Sequence, residues 1–326
     1  MDNRRDKEKI YYYLLIVIPL VLLVLVNIGI FLKKSDKKNV VEYKDAAKER
    51  YYRTVKQKNS VDPNWKINEG NNVSPQPQIV GTNGLIINNQ TGTVLFGLNT
   101  TEKKPIASLV KIMTALIAIE HKNLDEEIVV SENAASIGEN SMGISQGETY
   151  SLRELLYGMM LNSGNDSATA IAEGVAGDVK TFVRWMNIKA MELGLSNTYF
   201  ADPDGLDDSS YSTVEELAKL AHYALEYPDF REIVKTVEQE YSYSEKHKYI
   251  YLYNQTNLLT TYPGVLGVKT GFTEEAGLCL VTFSVNEGKE LIGVVFNSID
   301  RKGDMIIMLD YGFSTLGVNV KHHLLD

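Results

Sequence analysis

The sequence predicts an α+β fold, one antiparallel sheet packed by helices with an all-helical insert, preceded by a single N-terminal transmembrane helix. Three observations carry this expectation. Residues 10–32 contain no charged side chain. Short strand-like apolar runs cluster at residues 84–97 and return only from 265 to 297. Between these clusters, apolar residues recur at helical spacing up to about residue 237.

Residues 1–9 form a short charged tail. The uncharged run Ile10–Leu32 would span roughly 34 Å as a helix, enough for a hydrocarbon core of about 30 Å. Tyr11, Tyr12 and Tyr13 stand where an interfacial aromatic belt would lie. A cleaved signal has a shorter apolar run and a small-residue cleavage site, whereas this run ends Gly-Ile-Phe-Leu-Lys-Lys. A retained anchor is therefore expected. Composition leaves its orientation open. Four Lys/Arg precede the span and eight follow it up to Arg53. A plain positive-inside count would leave the body in the cytoplasm, but that rule weakens for long translocated domains.

Residues 33–77 read as a stem, helical and charged over 41–58, then a Pro/Asn/Gly-rich linker. The body is expected over 78–326. Residues 33–70 carry eleven Lys/Arg against six Asp/Glu, while 71–326 has a formal charge of -15. So acidic a body argues against a nucleic-acid binder that relies on a basic surface. At 44% hydrophobic and 23% charged, the chain is too apolar for disorder over its whole length. One cysteine excludes an internal disulfide framework and any Cys-based zinc site.

Within the body, Gly84–Asn88 and Thr93–Gly97 flank Asn89-Gln-Thr-Gly92, a hairpin signal. The run SLVKIMTALIAIEH from Ser108 is apolar nearly all round, which predicts a helix buried on every side. Ser151-Leu-Arg-Glu154 and Ser212-Thr-Val-Glu215 read as capping boxes opening helices that end near Leu161 and Tyr227. A helix over Lys180–Leu193 stops at Gly194. Strands follow over Val265–Lys269, Gly277–Val285 and Glu290–Asn297, the last two joined by a turn at Asn286-Glu-Gly-Lys289. A final helix runs from about Asp304 to Leu316.

Three short patterns could carry chemistry. Ser108 and Lys111 are three residues apart at the start of the buried helix, so their side chains share a face. A lysine in apolar surroundings loses its preference for the ammonium form, and a neutral lysine beside a serine is an activated nucleophile. The alternative is a structural lysine whose stem is buried; Ser35-Asp-Lys-Lys38 shows that the pattern also arises without meaning. Ser163-Gly164-Asn165 breaks two helices. It offers a hydroxyl and an amide to a cleft, or merely caps the helices with Asn165 as N-cap. Lys269-Thr270-Gly271 ends a strand, where a cation and a hydroxyl suit a carboxylate, or it is an ordinary strand end with a turn glycine.

Other constellations are weaker. Gly143-Ile-Ser145-Gln-Gly147 spells a nucleophile elbow but lacks the preceding strand and following helix. The five histidines show no HExxH or comparable ligand spacing, so no metal is expected. Cys279 alternates with apolar residues in a strand and reads as an inert buried thiol.

Taken together and in this order, Ser108-x-x-Lys111, Ser163-x-Asn165 and Lys269-Thr270-Gly271 are far more specific than any one alone. The sequence resembles the penicillin-recognising serine D-Ala-D-Ala carboxypeptidases, low-molecular-weight penicillin-binding proteins of the peptidase S11 type. The resemblance runs from about Gly84 to Gly312. It includes ASLVKIMTALIAIE, LLYGMMLNSGNDSATAIAE, MNIKAMELGLSNTYFADPDGL and GVLGVKTGFTEEAG. It implies a β-lactamase/transpeptidase-like fold. It also implies an enzyme that removes the terminal D-Ala of peptidoglycan stem peptides through an acyl-enzyme, is acylated by β-lactams, and needs no metal or cofactor.

By the same resemblance, Ser108 is the nucleophile, Lys111 its base, Ser163 a proton relay and Asn165 a holder of substrate and Lys111. The backbone N–H groups of Ser108 and Phe272 would form the oxyanion hole. Lys269, Thr270 and Arg301 would face the substrate carboxylate, Lys269 staying charged where Lys111 does not. The body would lie outside the cytoplasmic membrane of a bacterium, held by Ile10–Leu32 as a single-pass anchor. Two features depart from the pattern. Phe272 stands where some relatives have His. Many relatives add a β-rich domain and a C-terminal amphipathic anchor, a task expected here of the N-terminal span. No equivalent of the deacylating glutamate of class A β-lactamases is evident. A D,D-endopeptidase acting on crosslinks and a catalytically silent sensor or scaffold are the alternatives.

Overall fold

The computed structural model describes residues 46–56, 65–70 and 75–325. The expected transmembrane run lies outside them, and among the described residues no helix is long and apolar enough to cross a membrane. Residues 46–50 are helical. The folded body begins at Tyr51.

Its centre is a five-stranded antiparallel sheet. The strands are β1 (Asn83–Asn88), β2 (Val94–Leu98), β3 (Val265–Thr273), β4 (Gly277–Asn286) and β5 (Lys289–Ser298). They lie in the order β2-β1-β5-β4-β3, so the two ends of the body meet where β1 pairs with β5, Ile87 opposite Ile292. The helices are α1 (Lys111–His121), α2 (Leu152–Leu161), α3 (Asn165–Ala176), α4 (Val179–Glu192), α5 (Val214–Leu225), α6 (Pro228–Lys235) and α7 (Arg301–Thr315).

Strand periodicity explains why the sheet is covered on both sides. Leu85, Ile87, Ile292 and Val294 join an apolar cluster with α1 and α5. Their neighbours Ile86, Leu291 and Val295 join a second cluster with Met305, Leu309 and Phe313 of α7. Each such side chain, fully removed from water, contributes about 1.5–3 kcal/mol. Every residue of α1 is buried, as its sequence predicts. Its one carboxylate, Glu120, accepts from Lys189 Nζ of α4 (2.6 Å) and from Tyr227 Oη (2.6 Å), which ties α1 to its neighbours.

Several expectations are refined. The α-helix begins at Lys111, and Ser108 sits in a preceding 3₁₀ turn, Ala107–Val110. The Ser151/Glu154 capping box is present. The second box is not. Thr213 is the N-cap, accepting from Glu216 N, because Glu215 is taken up by the Thr100 hydroxyl. A further hairpin, Glu238–Tyr241 with Ile250–Tyr253, lies in a stretch where no strand is expected from the sequence.

Parts of the expected stem belong to the folded body. Tyr51 is buried, packs edge-on to Trp185 and donates to Glu192 (2.9 Å). Trp65 stacks on His222 and donates from Nε1 to Asn89 O (2.9 Å). Asn68 bridges to Thr93 beside β2. Aromatic side chains scattered among charges give no periodic signal, yet Tyr51 and Trp65 both pack against the body.

Candidate active site

Three elements converge on Lys111. α1 carries the lysine at its first position, where the apolar helix leaves its side chain no exposed surface. Lys111 Nζ lies 2.9 Å from Ser108 Oγ, 2.7 Å from Asn165 Oδ1 and 2.5 Å from the carbonyl of Asp204. Burial pulls its pKa down to about 8, against the attraction of Asp204, Asp202, Asp166 and Glu139. An amine in that range shares its time between proton donor and proton acceptor near neutral pH.

Ser108 is delivered by an irregular turn. Ala107 has a left-handed φ of 47°, a conformation that non-glycine residues adopt only when their surroundings enforce it. Two glycines permit the packing around it. A Cβ on Gly205 (φ +83°) would fall 2.1 Å from Ala107 O, and one on Gly271 would come within 3.3 Å of Ser108 N. Both β3 and the Asp202–Gly205 loop therefore press against the serine turn.

The Ser163-Gly164-Asn165 break joins α2 to α3. Gly164 is the N-cap and Asn165 the first helical residue, so Asn165 does not cap the helix. Its side chain turns instead to Lys111, and its Nδ2 donates to Gly138 O (3.2 Å). Ser163, almost fully buried, holds a left-handed φ of 59° two residues before Asn165. Strain of this kind costs on the order of 1–3 kcal/mol and clusters at sites where side-chain placement matters.

β3 is an edge strand, and its Gly271 packs against the serine turn. Lys269 and Thr270 are buried on it, while Phe272 is 59% exposed at its end. Lys269 Nζ donates to Thr270 O (3.0 Å). Burial, with the charges of Lys111 and Arg301 adding to it, drives the Lys269 pKa well below the ordinary lysine value. The expected contrast between a neutral Lys111 and a charged Lys269 thus does not hold, since both ammonium groups are disfavoured. Arg301, first residue of α7, donates to Gly271 O (2.8 Å), which sets its guanidinium against the end of β3.

Two contributors gave no signal as sequence. Asp166, next to Asn165, accepts from Ser141 Oγ and from the amides of Met142, Gly143, Ile144 and Ser167 at 2.6–3.1 Å. It anchors the loop whose Gly138 and Asn140 carbonyls hold Asn165. The Asp202–Gly205 loop supplies the third contact of Lys111 and receives Thr114 Oγ1 at Pro203 O (2.6 Å). Ser145 Oγ accepts from Lys248 Nζ (2.8 Å) in an exposed pair. Cys279 is buried, its thiol pushed up to about 11 by desolvation. Among the described residues, no group of three or more His, Cys, Asp or Glu is placed to hold a metal ion.

The sequence profile of the D-alanyl-D-alanine carboxypeptidases, peptidase S11, matches residues 70–300. The D-alanyl-D-alanine carboxypeptidase DacF of Bacillus subtilis is 36% identical over 71% of this chain and 61% of its own length. The D-alanyl-D-alanine endopeptidase of Escherichia coli is 30% identical over 69% of this chain and 74% of its own. Among solved structures, the Streptomyces K15 DD-transpeptidase superposes with a TM-score of 0.70. It is 32% identical and covers 73% of this chain and 99% of that protein.

Proposed function

Because this chain belongs to the D-alanyl-D-alanine carboxypeptidase family, we propose that it removes the terminal D-Ala of peptidoglycan stem peptides through an acyl-enzyme on Ser108. The observation that carries the reading is Lys111 Nζ, buried and within hydrogen-bond reach of both Ser108 Oγ and Asn165 Oδ1. Ser108 Oγ attacks the carbonyl of the penultimate D-Ala and gives its proton to Lys111. The N–H groups of Ser108 and Phe272 receive the oxyanion, the interaction that usually does most to lower such a barrier. The C–N bond then breaks, and the leaving D-Ala takes up a proton through Ser163. Water attacks the acyl group, releases the shortened peptide and returns a proton to Ser108 Oγ.

Lys269, Thr270 and Arg301 receive the terminal carboxylate. An anion entering beside Lys269 restores its ammonium form, since it offsets the burial and the two neighbouring cations that depress it. β-Lactams, which present a reactive carbonyl and a carboxylate, acylate the same serine. The substrate lies outside the cytoplasmic membrane, so the body is placed there, with the uncharged run Ile10–Leu32 as its anchor.

Cleavage of crosslinks is the second reading, favoured by the relative named an endopeptidase. Incubation of the full chain with a D-Ala-D-Ala pentapeptide and with a crosslinked dimer, followed by mass analysis, separates them. Free D-Ala from the pentapeptide is expected, with the dimer largely intact. Cleavage of the dimer alone would reverse the preference. Retained β-lactam binding without product from either would leave a silent sensor.

A further inference from the structure

The hairpin Glu238–Tyr241/Ile250–Tyr253 presents an unusual outer face. From Tyr249 the strand alternates strictly, Ile250 and Leu252 inward and Tyr249, Tyr251 and Tyr253 outward at 52%, 47% and 48% exposure. Alternate positions of a strand are about 7 Å apart, so the three tyrosines leave the backbone in one row. The facing strand supplies carboxylates, Glu238 opposite Tyr253 and Glu240 opposite Tyr251. Glu238 accepts from Tyr251 Oη (2.8 Å) and Glu240 pairs with Tyr249. An exposed aromatic row of this size is uncommon on a soluble surface and points to a partner.

The row leads to the active site. Tyr253 N donates to Asn162 Oδ1 (2.9 Å), and Gln255, next on the same outer face, donates from Nε2 to Asn162 O (2.9 Å). Asn162 immediately precedes Ser163. A polymer whose side branch enters the cleft at Ser163 would therefore find the tyrosine row continuous with it.

We propose that Tyr249, Tyr251 and Tyr253, with Glu238, Glu240 and Gln255, bind the glycan strand of peptidoglycan while its stem peptide occupies the cleft. Sugar rings offer polarised C–H groups to the negative faces of aromatic rings, and their hydroxyls donate to carboxylate and amide oxygens. The carboxylates disfavour an anionic lipid surface, which attracts basic segments. This rests on the substrate reading above, and deepens it from the stem peptide to the polymer.

The test compares the full chain in detergent with its Tyr249→Ser/Tyr251→Ser/Tyr253→Ser variant and the corresponding triple Phe variant. Each is assayed for co-sedimentation with purified insoluble peptidoglycan, and for D-Ala release from that polymer and from the soluble pentapeptide. The Ser variant should lose about 10-fold in co-sedimentation and in release from polymer, as expected for about 1.4 kcal/mol, with pentapeptide turnover within about twofold of the parent. The Phe variant, which keeps the rings, should stay within about threefold on polymer. Equal co-sedimentation of parent and Ser variant would overturn the proposal. So would a parallel loss on the pentapeptide, or tyrosine-dependent capture by phosphatidylglycerol vesicles instead of peptidoglycan. A parent inactive on the pentapeptide refutes the carboxypeptidase reading, and co-sedimentation then decides the glycan surface by itself.

Discussion

Lys111→Arg is expected to abolish acylation of Ser108, a loss on the order of 10³-fold or more, at the upper end of what a positioned base contributes. The substitution keeps a cation in the cleft, but a guanidinium does not deprotonate in proteins. Lys111→Gln removes the base without the added bulk and should lose as much. In the parent, acylation by a chromogenic β-lactam should rise about tenfold per pH unit up to a midpoint near 8 and level off above it. The sign follows from the requirement for neutral Lys111, whose pKa burial has brought down to about 8. Lys269→Arg retains the charge that meets the substrate carboxylate and should cost only about 10- to 100-fold, or roughly 1.4–2.7 kcal/mol. Thermal unfolding of each variant checks that the fold survives. An active Lys111→Arg variant, or one more active than Lys269→Arg, would reverse the two roles.

Asp166→Ala should be the most destabilising single change near the site. It removes an acceptor from four backbone amides and one hydroxyl, with Met142 and Ile144 buried in the loop and Gly143 N keeping Ser141 Oγ as a partner. Each orphaned donor costs about 1–3 kcal/mol, tempered by relaxation and entering water, so a net loss of about 3–5 kcal/mol is expected. For a domain of this size that lowers Tm by roughly 10 °C. Activity at temperatures below the transition should fall as well, because Asn165 loses the loop that orients it. Asp166→Asn, which keeps one acceptor oxygen, should fall in between. A Tm within 2 °C of the parent for Asp166→Ala would show that the loop is held by other means.

What the chain reveals before folding depends on how each residue acts. α1 is legible because an all-round apolar helix has no other stable placement, and the Ser108/Lys111 spacing survives although the turn is 3₁₀. Three residues bring two side chains together at 3.0 or 3.6 residues per turn, so pairing was readable and helix type was not. Asp166 and the Asp202–Gly205 loop act through backbone amides and carbonyls, which leave no side-chain pattern. Tyr51 and Trp65 lie in charged or linker-like sequence, where single aromatic anchors cannot be told from solvated residues. The run from Tyr249 to Tyr253 has the right period, but its outer face carries aromatic residues where polar ones would mark a half-exposed strand. Lys269 shows the limit for electrostatics. Its depressed pKa comes from burial first and then from the charges of Lys111 and Arg301, and all three arise only once the sheet and the serine turn are assembled.

The most direct measurement of the central claim is where a β-lactam attaches. The full chain and its Ser108→Ala variant are incubated with a β-lactam, and the adduct is located by intact mass and peptide mapping. One drug mass on the peptide containing Ser108, persisting for minutes or longer and absent from Ser108→Ala, is the predicted result. Equal labelling of both proteins, or an adduct on Ser145 or Ser163, would contradict it.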